Sequence, residues 1–125
     1  MPTSEHFSAE ELSCHCCGRG VEKIHPRLLE LLEKLRADIG PIEISCAYCC
    51  PAHNAEIGGE PDNQHVLGTA ADVLTPNYGH CHTPRQLFRY CERLPFDGIK
   101  LYDWGVHVDV RHGGIGSKIY FWGRE

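Results

Sequence analysis

The segment VHVDV, residues 106–110, alternates apolar and polar residues over five positions. Successive side chains of a β-strand point to opposite faces of a sheet. The alternation therefore predicts a strand with His107 and Asp109 on one face and three valines on the other. The valine face must be covered by other apolar elements, while the second face carries side chains that bind protons or metals. We expect a sheet with one face packed on the core and the other face carrying His107 and Asp109.

Other short runs have strand character. Residues 99–102 and 119–122 are separated from VHVDV by turns that contain glycine, which predicts antiparallel pairing. Residues 42–45 alternate over a few positions, and residues 70–74 read AADVL, a buried strand interrupted by Asp72. A carboxylate inside an apolar strand needs a cation or hydrogen-bond donors beside it.

Four helices are predicted around these strands. Ser8 followed three residues later by Glu11 is a capping box for a short helix over residues 9–13. The others begin at prolines, which favour the first helical turn, and their predicted ranges are 26–39, 51–57 and 84–94. Helices first and hairpin strands later predict an α+β fold, a small antiparallel sheet with helices packed on one face.

Length and charge limit the partners. The 125 residues suit a single domain over residues 1–125, which we expect to be a monomer. The net charge is −5 and the 12 basic residues are scattered, which argues against a nucleic acid partner. No apolar run is long enough for a membrane span, and the amino terminus lacks the pattern of a signal peptide. We expect synthesis in the cytoplasm and no membrane partner.

Eight cysteines are unusual in so short a chain. In a reducing compartment free thiols or metal thiolates are favoured over disulfides. The segments CHCC, residues 14–17, and CAYCC, residues 46–50, are each spaced for one side of a structural zinc site. The alternative is that several of these cysteines are small buried apolar residues.

A possible metal centre combines three distant residues. His65 and Asp72 are separated by six residues that include a GTAA run, and His107 comes from VHVDV. Two imidazoles and a carboxylate form a hydrolytic zinc set, because they leave a fourth position for water. Spacing alone leaves open the alternative that these are ordinary surface or core residues.

The context of these residues resembles a known family. The segment NAEIGGEPDNQHVLGTAADV, residues 54–73, resembles the first zinc motif, S-x-H-x-x-G-x-A-x-D, of the zinc D-Ala-D-Ala carboxypeptidase family. YDWGVHVDVR, residues 102–111, resembles the second motif of its short branch, H-x-D. Residues 7–14, 28–36 and 48–54 match the same branch in order, so the resemblance covers nearly the whole chain.

The resemblance implies the fold of the hedgehog amino-terminal domain and of the D,D-peptidases, with one zinc ion held by His65, Asp72 and His107. It also implies hydrolysis of peptide bonds in peptidoglycan stem peptides by a zinc-activated water. The D,D- or L,D-carboxypeptidase and endopeptidase modes all stay open. If the chain is a phage lytic enzyme, the resemblance also implies that the protein is released to the cell wall.

Two acidic residues compete for the role of general base. Related enzymes place an acidic residue shortly before the last histidine ligand, and Asp103 lies four residues ahead of His107. Asp109 is the other catalytic candidate, but its place on the strand favours holding the ring N–H of His107 or the side chain of Arg111. We favour Asp103.

Substrate binding shows departures from the family pattern. The family usually has S-G-Y-R-C-P where this chain has CAYCCP, residues 46–51, so Cys49 replaces an arginine that would bind a substrate carboxylate. Asn63 stands where the first motif has serine. Tyr48, Asn63 and Arg111 are the expected substrate-binding residues, with Arg111 as the substitute cation.

Two other functions stay open. The first is a zinc-containing module of the same fold that binds wall peptides with little catalysis, because the arginine is lost. The second is a thiol hydrolase with Cys49 or Cys50 as nucleophile and His53 as base, which needs an activated thiolate. A second, cysteine-bound structural zinc is compatible with each of these functions.

Overall fold

The structure is a computed structural model that describes residues 6–14, 17–56, 64–76 and 81–121. None of the helices in these ranges is long and apolar enough to cross a membrane. A single turn of 3₁₀ helix spans Val21–Lys23. The other elements are α1 Ala9–Leu12, α2 Pro26–Ile39, β1 Ile44–Cys46, α3 Pro51–Glu56, β2 Ala70–Leu74, α4 Pro84–Glu92, β3 Gly98–Leu101, β4 Gly105–Asp109 and β5 Ile119–Phe121.

The strands form one sheet in the order β1-β2-β4-β3-β5. The first four strands of this order pair with one another in antiparallel fashion, and together with the helices they confirm the predicted α+β class. The expectation of a wholly antiparallel sheet was wrong for β5, which pairs with β3 in parallel. Both edges of β4 are already occupied by β2 and β3, so the chain leaving β4 must cross to the far edge of β3.

The capping box predicted at the start of α1 forms only in part. The backbone N–H of Glu11 donates to the Ser8 hydroxyl at 3.1 Å, as in a capping box. The Glu11 carboxylate, however, accepts from the backbone N–H of Ile44 at 3.1 Å and so joins α1 to β1. A complete capping box occurs at α4, between Thr83 and Gln86. The predicted ends at Ile57 and Trp122 lie outside the described residues.

The core lies between one face of the sheet and the helices. Helix α4 packs against β3 and β4, and α2 packs against α4. Burial of each large apolar side chain contributes about 1.5–3 kcal/mol. The fully buried core residues of these elements include Leu28, Leu31, Leu32, Leu35, Ala71, Val73, Leu87, Ile99, Val106 and Val108. Because alternate residues of β2, β3 and β4 enter this core, their other residues lie on the opposite face.

A buried carboxylate, Asp97, organises the connection from β4 to β5. It is fully buried and accepts hydrogen bonds from the backbone N–H groups of His112, Gly114, Ile115 and Ser117 at 2.7–3.1 Å. Burial raises the pKa of Asp97, but the N–H donors outweigh burial and hold the pKa below its ordinary value. The ionised carboxylate is therefore the form that shapes this loop.

We expect Asp97→Ala to lower the free energy of unfolding by about 3 kcal/mol, because buried N–H groups lose a charged acceptor. Urea denaturation of the metal-free protein measures this. The control is Asp38→Ala, an exposed change on α2 that should stay within about 0.5 kcal/mol. Since the pKa is lowered in the folded state, the stabilisation is present above pH 3.8 and is lost as the pH falls further. Equal stability of the two variants at neutral pH would contradict this role.

Candidate metal centre

The face of the sheet opposite the core carries a row of functional side chains. In the strand register Asp72 of β2 pairs with His107 of β4 on one side and with Cys46 of β1 on the other. Lys100 of β3 pairs with His107 from the opposite edge. Side chains paired in this way have Cβ atoms about 5 Å apart. The register therefore aligns these four residues across the sheet.

The structure brings His65, Asp72 and His107 together. Asp72 Oδ1 lies 3.4 Å from His65 Nε2 and 3.2 Å from His107 Nδ1. One nitrogen or oxygen atom from each residue lies within 4.8 Å of the other two. The side chains are mostly buried, with 12%, 17% and 11% exposed, respectively. His65 reaches the site from the turn that precedes β2.

The other nitrogen of each imidazole is held by an acceptor. His65 Nδ1 lies 2.8 Å from the carbonyl oxygen of Ala47, which can only accept, so Nδ1 carries the proton. His107 Nε2 donates to Asp109 Oδ2 at 2.9 Å. The remaining nitrogens, Nε2 of His65 and Nδ1 of His107, face Asp72. Histidines that bind metals are oriented by outer hydrogen bonds of this kind.

Asp109 is itself fully buried and fixed on several sides. Arg111 donates to it from Nη2 at 2.7 Å and from Nε at 3.0 Å. Burial raises the pKa of Asp109, but the hydrogen bonds with His107 and Arg111 hold it far below its ordinary value. A Cβ atom added at Gly98, its register partner, would lie 2.2 Å from Oδ2. The carboxylate thus occupies the space that a side chain at Gly98 would take.

The charges of the three residues suit a divalent cation. Burial lowers the pKa of His65, yet its hydrogen bond with Asp72 raises the pKa overall to about 10. Burial raises the pKa of Asp72, yet hydrogen bonds from His107 and His65 lower it to about 2. Two imidazoles beside one ionised carboxylate are a donor set typical of catalytic zinc, with a coordination position left for water. These residues therefore fit a zinc ion.

The two candidate bases occupy different environments. Asp109 bonds the ring nitrogen of His107 that points away from Asp72, so the ring separates its carboxylate from the metal-facing side. Asp103 is exposed in the three-residue loop between β3 and β4, where the Tyr102 N–H donates to the carbonyl of Gly105 at 2.9 Å. The geometry shows Asp109 orienting His107, and the role of Asp103 as general base stays a prediction.

Of the predicted substrate-binding residues that the structure describes, Tyr48 is buried and Arg111 is paired with a carboxylate. Tyr48 is 5% exposed, and its ring lies so close to Gly20 that a Cβ atom there would be 2.1 Å away. The guanidinium of Arg111 is engaged by Asp109. Asn63 lies outside the described residues. The roles of these three residues remain predictions.

The thiol hydrolase alternative loses support at Cys49. The side chain is 2% exposed, and burial raises the pKa of its thiol to about 11. A nucleophilic thiolate is therefore disfavoured at neutral pH. The backbone N–H of Cys49 instead donates to the carbonyl of His65 at 3.1 Å. The side chain of His53, the proposed base, lies outside the described part of the chain.

Sequence reasoning assigned no role to Lys100 or Tyr102. Lys100 is 9% exposed, and its amine lies 5.3 Å from the centre of the Tyr102 ring, which stacks on Trp104 at 4.6 Å. Burial, with a smaller contribution from the charge of Asp72, raises the pKa of Tyr102 to about 12. The available signal was strand alternation, because Ile99 in the core requires Lys100 on the opposite face.

We expect Asp109→Asn to weaken zinc affinity by about 10- to 100-fold, because an amide accepts poorly from the His107 ring and leaves Arg111 unbalanced. Gly98→Ala should weaken it in the same direction by displacing the carboxylate. Competition with a chromogenic chelator measures both, and Asp103→Asn is the control that keeps full affinity. Loss of zinc from Asp103→Asn, with normal binding by Asp109→Asn, would reverse the two assignments.

Comparison with known families connects this geometry to a chemistry. The model of the Peptidase M15 family matches residues 5–110, which include every residue of the metal centre. No curated protein matches the chain. The chain belongs to the Peptidase M15 family and is a zinc metallopeptidase.

Proposed function

We propose that the chain hydrolyses peptide bonds in peptidoglycan stem peptides, with zinc held by His65, Asp72 and His107. The observation that carries the proposal is the convergence of these three side chains, with each imidazole oriented by an outer acceptor. Membership of the Peptidase M15 family supports the reaction class. A zinc ion in such a set supplies Lewis acidity, which polarises a peptide carbonyl and lowers the pKa of a water molecule.

The residues around the centre divide the remaining work. Ala47 and Asp109 hold the two rings in place, and Asp72 supplies the negative charge between them. Asp103 takes the proton from the attacking water, since it lies four residues before His107 in the loop ahead of β4 and its carboxylate is exposed. The phenol of Tyr102 stays protonated, because its pKa is about 12, and can donate to the oxygen that gains charge.

The substrate's terminal carboxylate is bound by Lys100. This amine is on the face of the metal centre, one strand away from His107. Arg111 is already engaged by Asp109, and Cys49 has no charge to offer at its buried position. Lys100 therefore takes the role of the arginine that binds the substrate carboxylate in the D-Ala-D-Ala carboxypeptidase family. This assignment favours the carboxypeptidase mode over the endopeptidase mode.

Defined muropeptides and mass spectrometry of their products test the reaction. The zinc-loaded protein should release amino acids or peptides, and the chelated protein should not. Asp103→Asn should keep its zinc while kcat falls by about 10²- to 10⁴-fold, because the proton acceptor is lost. Full zinc occupancy without any product from the unmodified chain would exclude the peptidase and favour the wall-peptide binding module.

Lys100→Met should lower kcat/KM for peptides with a free terminal carboxylate by about 10- to 100-fold, the range expected for loss of a hydrogen bond between charged groups. Amidated peptides should be affected little. The comparison uses matched substrates at fixed zinc, with Lys34→Met on α2 as the control for loss of a positive charge. An equal loss on both substrates would remove Lys100 from carboxylate binding.

A further inference from the structure

A second cluster of ligand-type atoms lies outside the peptidase site. The sulfur atoms of Cys14, Cys17 and Cys50 lie within 4.8 Å of one another. None of the seven cysteines in the described ranges forms a disulfide. Cys14 follows α1, Cys17 is three residues further, and Cys50 immediately precedes α3. Three thiols from two distant segments thus meet at one point.

The turn after α1 explains why the first two sulfurs converge. The backbone N–H of Gly18 donates to the carbonyl of Cys14 at 2.7 Å, and the N–H of Cys14 donates to the carbonyl of Arg19 at 2.9 Å. Gly18 has a φ of +69°, a conformation that glycine adopts without strain. These two hydrogen bonds hold Cys14 close to Gly18 and Arg19, and the sulfur atoms of Cys14 and Cys17 lie within 4.8 Å of each other. Their spacing, C-x-x-C, is the ligand spacing of structural zinc sites.

The third sulfur is brought in by the segment before α3. The backbone N–H of Tyr48 donates to the carbonyl of Leu12 at 3.1 Å, and its ring lies directly on Gly20. These contacts hold the segment with Cys50 against the turn that contains Cys14 and Cys17. The arrangement therefore depends on tertiary packing and not on one flexible loop.

We propose that Cys14, Cys17 and Cys50 bind a zinc ion as thiolates in a structural site separate from the peptidase centre. A Zn–S bond is about 2.3 Å, so sulfurs around one zinc are about 3.8 Å apart, and the 4.8 Å limit on the separations here allows that spacing. A disulfide would need two sulfurs about 2.05 Å apart and would leave the third sulfur out. Crowded thiols ionise with difficulty on their own, and a cation between them removes that cost.

The cysteine site adjoins the contacts that orient His65. Cys49, next to Cys50, donates its backbone N–H to the carbonyl of His65 at 3.1 Å. Ala47, in the same segment, accepts from His65 Nδ1 at 2.8 Å. A metal ion at Cys50 therefore fixes the segment that holds one ligand of the peptidase centre, as well as joining it to the amino-terminal turn.

Metal analysis of the reduced, zinc-loaded full chain tests the proposal, with two equivalents of zinc expected. Cys50→Ser and His65→Ala should each retain one equivalent, because they remove different sites. The control is Cys91→Ser, a core cysteine outside the cluster, which should retain both. Substitution with cobalt(II) gives a second readout: sulfur-to-cobalt charge-transfer absorption should be present in the unmodified chain and in His65→Ala and absent in Cys50→Ser.

A single equivalent of zinc in the unmodified chain that is lost in His65→Ala overturns the proposal, as does charge-transfer absorption that persists in Cys50→Ser. A disulfide among these cysteines in the purified protein, detected by thiol titration and intact mass, also overturns it. If Cys50→Ser does not fold, the unmodified chain and His65→Ala still test the proposal. Sulfur-to-cobalt absorption must be present in both, and its absence from either one overturns the proposal. None of these readouts depends on turnover, so failure of the proposed peptidase reaction leaves this test intact.

Discussion

Asp72 places an ionised carboxylate in a central strand of the sheet, and much of the structure around it follows from that burial. Moving such a charge out of water costs several kcal/mol unless partners surround it. His65 and His107 provide those partners at 3.4 and 3.2 Å. Each imidazole then needs an acceptor for its second nitrogen, and Ala47 and Asp109 supply one each. The need for hydrogen-bond partners thus extends outward from a single buried charge.

The local parts of this arrangement were predictable from the sequence. Alternation in VHVDV placed His107 opposite the core, and the isolated carboxylate of AADVL required partners. The helix starts followed from prolines and from a capping residue, Ser8, because capping is a contact between residues a few positions apart. The strand faces and the helix starts could thus be predicted because they depend on interactions between residues close together in the sequence.

Other features depended on contacts between residues far apart in the chain. β5 joins β3 in parallel because β4 is already paired on both edges, and no local pattern reports this. The Glu11 carboxylate bonds Ile44 across 33 residues instead of closing its own capping box. Asp97 takes its donors from a loop 15 to 20 residues further on. Lys100 could have been placed by alternation, but its neighbour His107 is known only from the register.

Gly98 has a consequence for tracing relatives of this protein. Its missing side chain is the space that the Asp109 carboxylate fills, so the residue at this position and the acidic residue after the last histidine ligand must change together. A chain with alanine at position 98 would have to carry a shorter acceptor at position 109 or leave the imidazole unsupported. The pair is therefore a covariation marker, and it distinguishes chains that orient this histidine with a carboxylate from chains that share only the H-x-D letters.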